Sequence, residues 1–285
     1  MKTVINDTTI HYEVNGTGTP MLIIHGLAQN IDSMQIPLMP ILAAANIQQI
    51  YVELPGMGQS SGNIGVASSD AILALLQTFI NQLIGDQPFY VVGHSYGGYL
   101  ALGLIHDWPT RVLGAFLTCP VTIADTPDRH LAHHYVAIQT DFPVKYNEDA
   151  FADFKEMNVI LNADAWTAYQ QQVLPGLRQA DDGFIHLLRE HYRFSFEDSL
   201  LRTPFTGPVT LLLGRQDSTV GFQDQLPLLN SFSHLTLGLL DHAGHNLLQD
   251  QPKLFNDYWR HFLALIDNGA FKNMTDETRK RERTR

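Results

Sequence analysis

The sequence predicts an α/β fold: a mostly parallel central sheet with helices on both faces, interrupted by one inserted helical segment. Two observations predict the sheet. Short apolar runs alternate with helical patterns through residues 1–119, and the alternation returns from residue 205. Strands joined by helices run parallel, because each crossover helix packs back across the sheet. A third observation predicts the insertion. Between Pro120 and Pro204 the chain offers polar-aromatic helical patterns and no convincing strand.

The elements follow in order. "TTIHYEV" (8–14) reads as a strand, and "MLIIHG" (21–26) as a second, bounded by Pro20 and Gly26. "SMQIPLMPILAAAN" is a helical stretch broken by its prolines, and "IQQIYVEL" (47–54) is another strand. Residues 68–85 form the clearest helix. Ser68 or Ser69 caps it, Ile72, Leu75, Leu76, Phe79 and Leu83 share one face, and Gly85 stops it. "PFYVVG" is a strand, Tyr96 to Trp108 a helix ended by Pro109, and "VLGAFLTC" (112–119) a strand. After the insertion, "PVTLLLG" (208–214) is a strand and "FQDQLPLLNSF" a helix. "SHLTLGLL" (233–240) is the last strand, and residues 247–266 are one closing helix. The expected organisation is a core of residues 1–119 and 205–271, an insertion at 120–204 and a tail at 272–285.

The chain of 285 residues is long enough for one large domain with an insertion. Its 45% hydrophobic and 16% charged content is that of a soluble globular protein. A net charge of −11 argues against nucleic acid or an anionic membrane as main partner. The single cysteine, Cys119, excludes an internal disulfide and fits a reducing compartment. "MKTVINDTTIHYEV" lacks the apolar run of a secretion signal, and no run is long enough to span a membrane. A cytoplasmic location is expected. The tail "KNMTDETRKRERTR" holds six basic and three acidic residues, which leaves −14 on the rest; a solvated or disordered end is the simplest reading.

"VVGHSYGGYL" (91–100) sets Ser95 between two glycines, with an apolar strand before it and a helix after it. Such a turn exposes a serine hydroxyl above the sheet edge and next to a helix N-terminus, where amide donors gather. Gly93 and Gly97 clear the space that so sharp a turn needs. A second G-x-S-x-G match, Gly58 to Gly62, centres on Ser60 but lies in a glycine-rich loop without flanking strand or helix.

A serine hydroxyl needs a base, and the base needs an orienting acid. "LLLGRQDSTV" places Asp217 just past a strand, and "LLDHAGHNLL" places His245 between the last strand and the closing helix. Both loops leave the carboxyl edge of the sheet, the edge of Ser95, where open α/β sheets build their sites. Asp125 and Asp241 compete for the acid role and His242 for the base. The strand end favours Asp217, and the Gly244–His245 pair before a helix favours His245.

On these residues the chain resembles the α/β-hydrolase superfamily, in its capped group of small esterases and related hydrolases. The likeness covers most of 1–119 and 205–266. "LIIHGLAQN" is similar to the strand motif that ends in His-Gly, and "ELPGMGQS" to the loop written Asp-x-Pro-Gly-x-Gly-x-Ser. Glu53 replaces the usual Asp and Met57 the usual His, both in a structural loop. The resemblance implies an oxyanion hole from the backbone N–H groups of Leu27 and Tyr96. It also implies a helical cap at 120–204. Most of the cap's aromatic residues must form its own core. Phe154 and Trp166 are candidates to reach an apolar acyl pocket. His25 and His94 are the polar candidates for substrate contact, although a structural place under the site is the simpler reading of His25.

No phosphate-binding glycine motif is present, so no cofactor is expected. His130, His133 and His134 lie at helical spacing suited to a metal, but no further ligand motif accompanies them and no metal is expected. The implied function is a cofactor-free serine hydrolase acting on small-molecule carboxylic esters of small to medium acyl groups. A C–C bond hydrolase or lyase on the same fold is the alternative, and a ligand receptor with little turnover is another. No Asp stands at the nucleophile position, which speaks against dehalogenase or epoxide hydrolase chemistry.

Overall fold

A computed structural model describes residues 1–144 and 148–267; the 272–285 tail and residues 268–271 of the expected core lie outside them. The chain opens with strands β1 (Lys2–Ile5), β2 (Thr8–Asn15) and β3 (Thr19–Ile24), then helix α1 (Asp32–Leu42), β4 (Ile47–Val52) and α2 (Ser69–Ile84). Next come β5 (Phe89–His94), α3 (Tyr96–Asp107) and β6 (Val112–Thr118). The 120–204 segment carries β7 (Ile138–Gln139), α4 (Glu148–Met157), β8 (Ile160–Leu161), α5 (Ala163–Gln172), α6 (Leu174–Gln179), α7 (Asp182–Glu190) and α8 (Glu197–Leu200). The chain then returns through β9 (Phe205–Gly214), α9 (Leu228–Ser231), β10 (Phe232–Leu240), α10 (Leu247–Asp250) and α11 (Pro252–Asp267).

Eight strands form one sheet in the order β1-β2-β4-β3-β5-β6-β9-β10. The β1–β2 and β2–β4 pairs are antiparallel and the rest parallel. The central strand β5 is buried along its whole length, as a continuous apolar run covered on both faces must be. Helix α2 shows the physical basis of its neighbours: the Ser68 hydroxyl accepts the Ala71 N–H at 3.2 Å, and Ile72, Leu75, Leu76 and Phe79 are buried. Trp259 and Phe262 of α11 pack on Phe116 of β6, with the Trp259 and Phe116 rings stacked at 4.1 Å.

Several elements differ from the sequence pattern. Helix α1 continues through Pro37 and Pro40. The expected helix at 222–232 contracts to α9, four residues beyond Pro227. The closing helix breaks at Gln251, because Pro252 disfavours helical backbone before it and suits a first helical turn. The 120–204 segment does contain strands, the two-residue pair β7 and β8, joined through Ile138 and Ile160. Its aromatic residues also divide. Phe154, Trp166 and Tyr169 form a separate core with Phe142 and Phe151, whereas Phe184 and Phe194 join the main core. Phe194 stacks on Tyr99 of α3 at 4.2 Å.

Candidate active site

Ser95 joins β5 to α3 with φ 53° and ψ −115°, a backbone region that a residue with a side chain occupies only at a cost of about 1–3 kcal/mol. Its neighbours hold it there. The Ser95 N–H donates to the Thr118 carbonyl at 3.0 Å, and the Ser95 carbonyl accepts from Tyr99 and Val121. Glycine is required on both sides: a Cβ on Gly93 would lie 2.3 Å from the Gly97 carbonyl oxygen, and one on Gly97 2.3 Å from that of Ile24. Ser60 sits elsewhere. Its hydroxyl donates to the Glu53 carbonyl at 2.8 Å and accepts the His11 N–H at 2.9 Å. Both are loop-fastening bonds. Glu53 anchors the same loop, accepting from the Gln59 N–H and lying 3.0 Å from His11 Nδ1.

The structure brings Ser95, His245 and Asp217 into one hydrogen-bonded line. Ser95 Oγ is 2.8 Å from His245 Nε2, and His245 Nδ1 is 2.8 Å from Asp217 Oδ2. The carboxylate keeps the proton on Nδ1, so Nε2 is free to accept from the serine. Asp217 is fully buried. Burial alone would raise its carboxyl, but the His245 ring and the N–H groups of Val220 and Thr219 outweigh it and hold the group below its usual value. Those amides donate to the other oxygen, Oδ1, at 2.9 and 2.8 Å. The competing residues form no bond in this line, although Asp125 borders the same cavity. Asp125 pairs with Arg193 at 3.7 Å, Asp241 accepts from Gln216 at 2.7 Å, and His242 is half exposed.

His25 and His94 are both buried around the site, and neither lines its cavity. His25 Nδ1 donates to the Gly26 carbonyl at 2.7 Å, and its Nε2 accepts the Leu54 N–H at 3.1 Å. It braces the two loops that follow β3 and β4. Burial pushes its pKa down to about 4. His94 bonds Thr118 Oγ1 at 3.2 Å with its ring 5.1 Å from that of His245; burial first, then the His245 charge, pushes it down to about 3. Both are neutral supports, and the structure places neither on the cavity wall where a substrate contact was expected.

A cavity of about 730 Å³ opens over Ser95 and His245. Leu27 lines it from the loop after β3, and Tyr96 opens α3 directly behind the serine. Its apolar wall is Val220 from the core, with Val121, Met157, Tyr169, Val173 and Leu177 from the 120–204 segment. Phe154 and Trp166 are absent from that wall. They face inward, packed on Phe151 and Tyr169, and so belong to the segment's own core. The wall had a partly readable signal: Tyr169, Val173 and Leu177 recur every four residues, although the chain divides at Val173 into α5 and α6. Arg129 and Arg189 also line the cavity.

The three histidines after Pro127 do not converge, because residues 130–137 are not helical. His130 turns to Asp224 at 2.6 Å and His134 to the Asn158 carbonyl at 3.1 Å. Among the described residues, Cys119, Asp217 and His245 do lie close enough to share an ion. There the Asp217–His245 bond already occupies both side chains.

The model of the alpha/beta hydrolase family matches residues 21–258. An alpha/beta superfamily hydrolase from Oenococcus oeni PSU-1 superposes with a TM-score of 0.88 at 36% identity, over 94% of this chain and 99% of that one. The esterase RhEst1 from Rhodococcus sp. ECU1013 superposes with a TM-score of 0.69 at 22% identity, over 92% and 97%. In sequence, the monoacylglycerol lipase ABHD6 of Bos taurus is 22% identical over 272 residues, 91% of this chain and 78% of the lipase.

Proposed function

The chain belongs to the alpha/beta hydrolase family, and on that premise we propose that it is a serine hydrolase of carboxylic esters with small to medium acyl groups. One observation carries the reading: the Ser95–His245–Asp217 line ends in a cavity whose wall is largely apolar. A pocket of this size suits a small-molecule ligand. Relatives that include a monoacylglycerol lipase and an esterase support an ester as the bond cleaved.

In this scheme Ser95 Oγ attacks the ester carbonyl while His245 Nε2 takes its proton. Asp217 keeps the imidazole in the accepting tautomer and stabilises the imidazolium. The N–H groups of Leu27 and Tyr96 receive the oxyanion, each such donor being worth about 2.7–4 kcal/mol. The tetrahedral adduct collapses, and His245 returns the proton to the departing alkoxide. Water, deprotonated by His245, then attacks the acyl-enzyme by the same route. The 120–204 segment acts as a cap that supplies the acyl wall. A series of p-nitrophenyl esters of increasing acyl length tests the reading. Turnover that peaks at short or medium chains supports it, and no turnover at any length refutes it.

Arg129 and Arg189 on the cavity wall favour one second reading, C–C cleavage of a substrate that carries a carboxylate. Arg129 spends three donors on the carbonyls of Ile123, Ala124 and Thr219. Faster cleavage of a 2-hydroxy-6-oxo-dienoate than of any ester, abolished in Arg189→Ala, would establish that reading instead.

A further inference from the structure

Asp250 ends α10, five residues past His245, and does not line the cavity. Its carboxylate is buried among N–H donors from two separate parts of the chain. Oδ1 accepts from the Val159 N–H at 3.2 Å, the Ile160 N–H at 3.1 Å and the Asn158 side-chain amide at 3.2 Å. Oδ2 accepts from the Gly244 N–H at 2.9 Å. Oδ1 therefore holds the cap, and Oδ2 holds the loop that carries His245 while also taking a longer, 3.4 Å share of the Val159 N–H. Asn246, next to that histidine, closes the ring by donating to Asn158 Oδ1 at 2.8 Å. The fit is close: a Cβ on Gly244 would lie 2.9 Å from the Met157 carbonyl oxygen. Met157 itself lines the cavity.

We propose that Asp250 is a positioning residue that fastens the cap to the histidine loop, so that a seated cap and an aligned His245 occur together. The proposal rests on the serine-hydrolase reading above. Its force lies in what only a carboxylate can do. An ionised carboxyl group accepts at both oxygens, whereas an amide of the same shape accepts at one and donates at the other. With asparagine here, either the cap donors or the Gly244 N–H would face another N–H. Among the described residues, no Lys or Arg nitrogen forms an ion pair with Asp250, so the buried charge is balanced by N–H dipoles alone. Burial pushes its pKa up to about 6. A charge kept at such a cost is poorly explained as a stabilising device.

The test compares wild type with Asp250→Asn on p-nitrophenyl butyrate and on a fluorophosphonate that modifies Ser95, with thermal unfolding as the control for folding. The expected result is a kcat lower by about 10- to 100-fold, the scale of a misplaced catalytic group. KM should stay within about threefold, labelling should slow in parallel, and the melting temperature should barely change. A folded Asp250→Asn protein with wild-type kcat and labelling rate overturns the proposal, as does a loss that merely tracks the unfolded fraction. If that variant does not fold, Asn158→Ala cuts the ring on the cap side and should show the same pattern at a smaller amplitude; unchanged kcat there overturns it equally. Failure of the ester reading looks different: wild type itself would turn over no ester, while the labelling comparison would still judge Asp250.

Discussion

Asp217 grips His245 with one carboxylate oxygen and its own loop with the other. Oδ2 meets His245 Nδ1 at 2.8 Å, and Oδ1 takes the N–H groups of Thr219 and Val220. The acid is thus fixed independently of the histidine that it orients. Asp217→Asn can keep the loop bonds through its carbonyl oxygen while presenting an amide to the imidazole. The proton is then driven to Nε2, where it blocks acceptance from Ser95. We predict a folded protein whose kcat falls by about 10⁴-fold. Steady-state kinetics with circular dichroism checks this, and a comparable loss in Asp125→Asn or Asp241→Asn would move the role.

The cavity wall makes opposite predictions for two groups of side chains. Leu177→Trp or Val173→Trp should shorten the preferred acyl chain, since both residues face the cavity. Phe154→Ala should instead loosen the cap core, costing about 3–5 kcal/mol of local packing. Its activity loss should be equal for all acyl lengths. A chain-length shift in Phe154→Ala, with none in the tryptophan variants, would reverse these assignments.

The parts legible in sequence share one property: a strong local pattern. Ser95, Asp217 and His245 each follow an apolar strand run, so the edge that they share is readable from strand order alone. Phe154 and Trp166 misled because a large aromatic residue in an insertion looks the same whether it faces a pocket or a private core. Only packing separates them. The partition of Phe194 into the main core was hidden for the same reason, since Tyr99, its stacking partner, is ninety-five positions away. Asp250 was hidden inside a helical pattern, and its donors on the cap lie about ninety residues earlier.

Acid should destabilise the fold with a slope that depends on Asp250. His25 and His94 are held neutral at about 4 and about 3, while the unfolded chain protonates each near 6.5. Between pH 4 and 6.5 the unfolded state binds more protons, so stability falls as pH drops, by up to about 1.4 kcal/mol per pH unit for each histidine. Asp250, raised to about 6, acts in the opposite sense. Between about pH 4 and 6 the folded chain holds its proton and offsets one histidine. Asp217 is held low, so its contribution is lost only at lower pH. Urea unfolding between pH 4.5 and 6.5 should therefore show a steeper loss in Asp250→Asn than in wild type. Parallel slopes would contradict this balance.

The most direct test of the central claim is where a fluorophosphonate probe attaches. Only a serine with a base in reach is nucleophilic at neutral pH, and Ser95 has His245 Nε2 at 2.8 Å whereas Ser60 is tied to backbone groups. Intact-mass and peptide mapping should find one adduct, on Ser95, absent from Ser95→Ala and strongly slowed in His245→Ala. An adduct on Ser60, no adduct on fresh protein, or labelling of His245→Ala at the wild-type rate would contradict it.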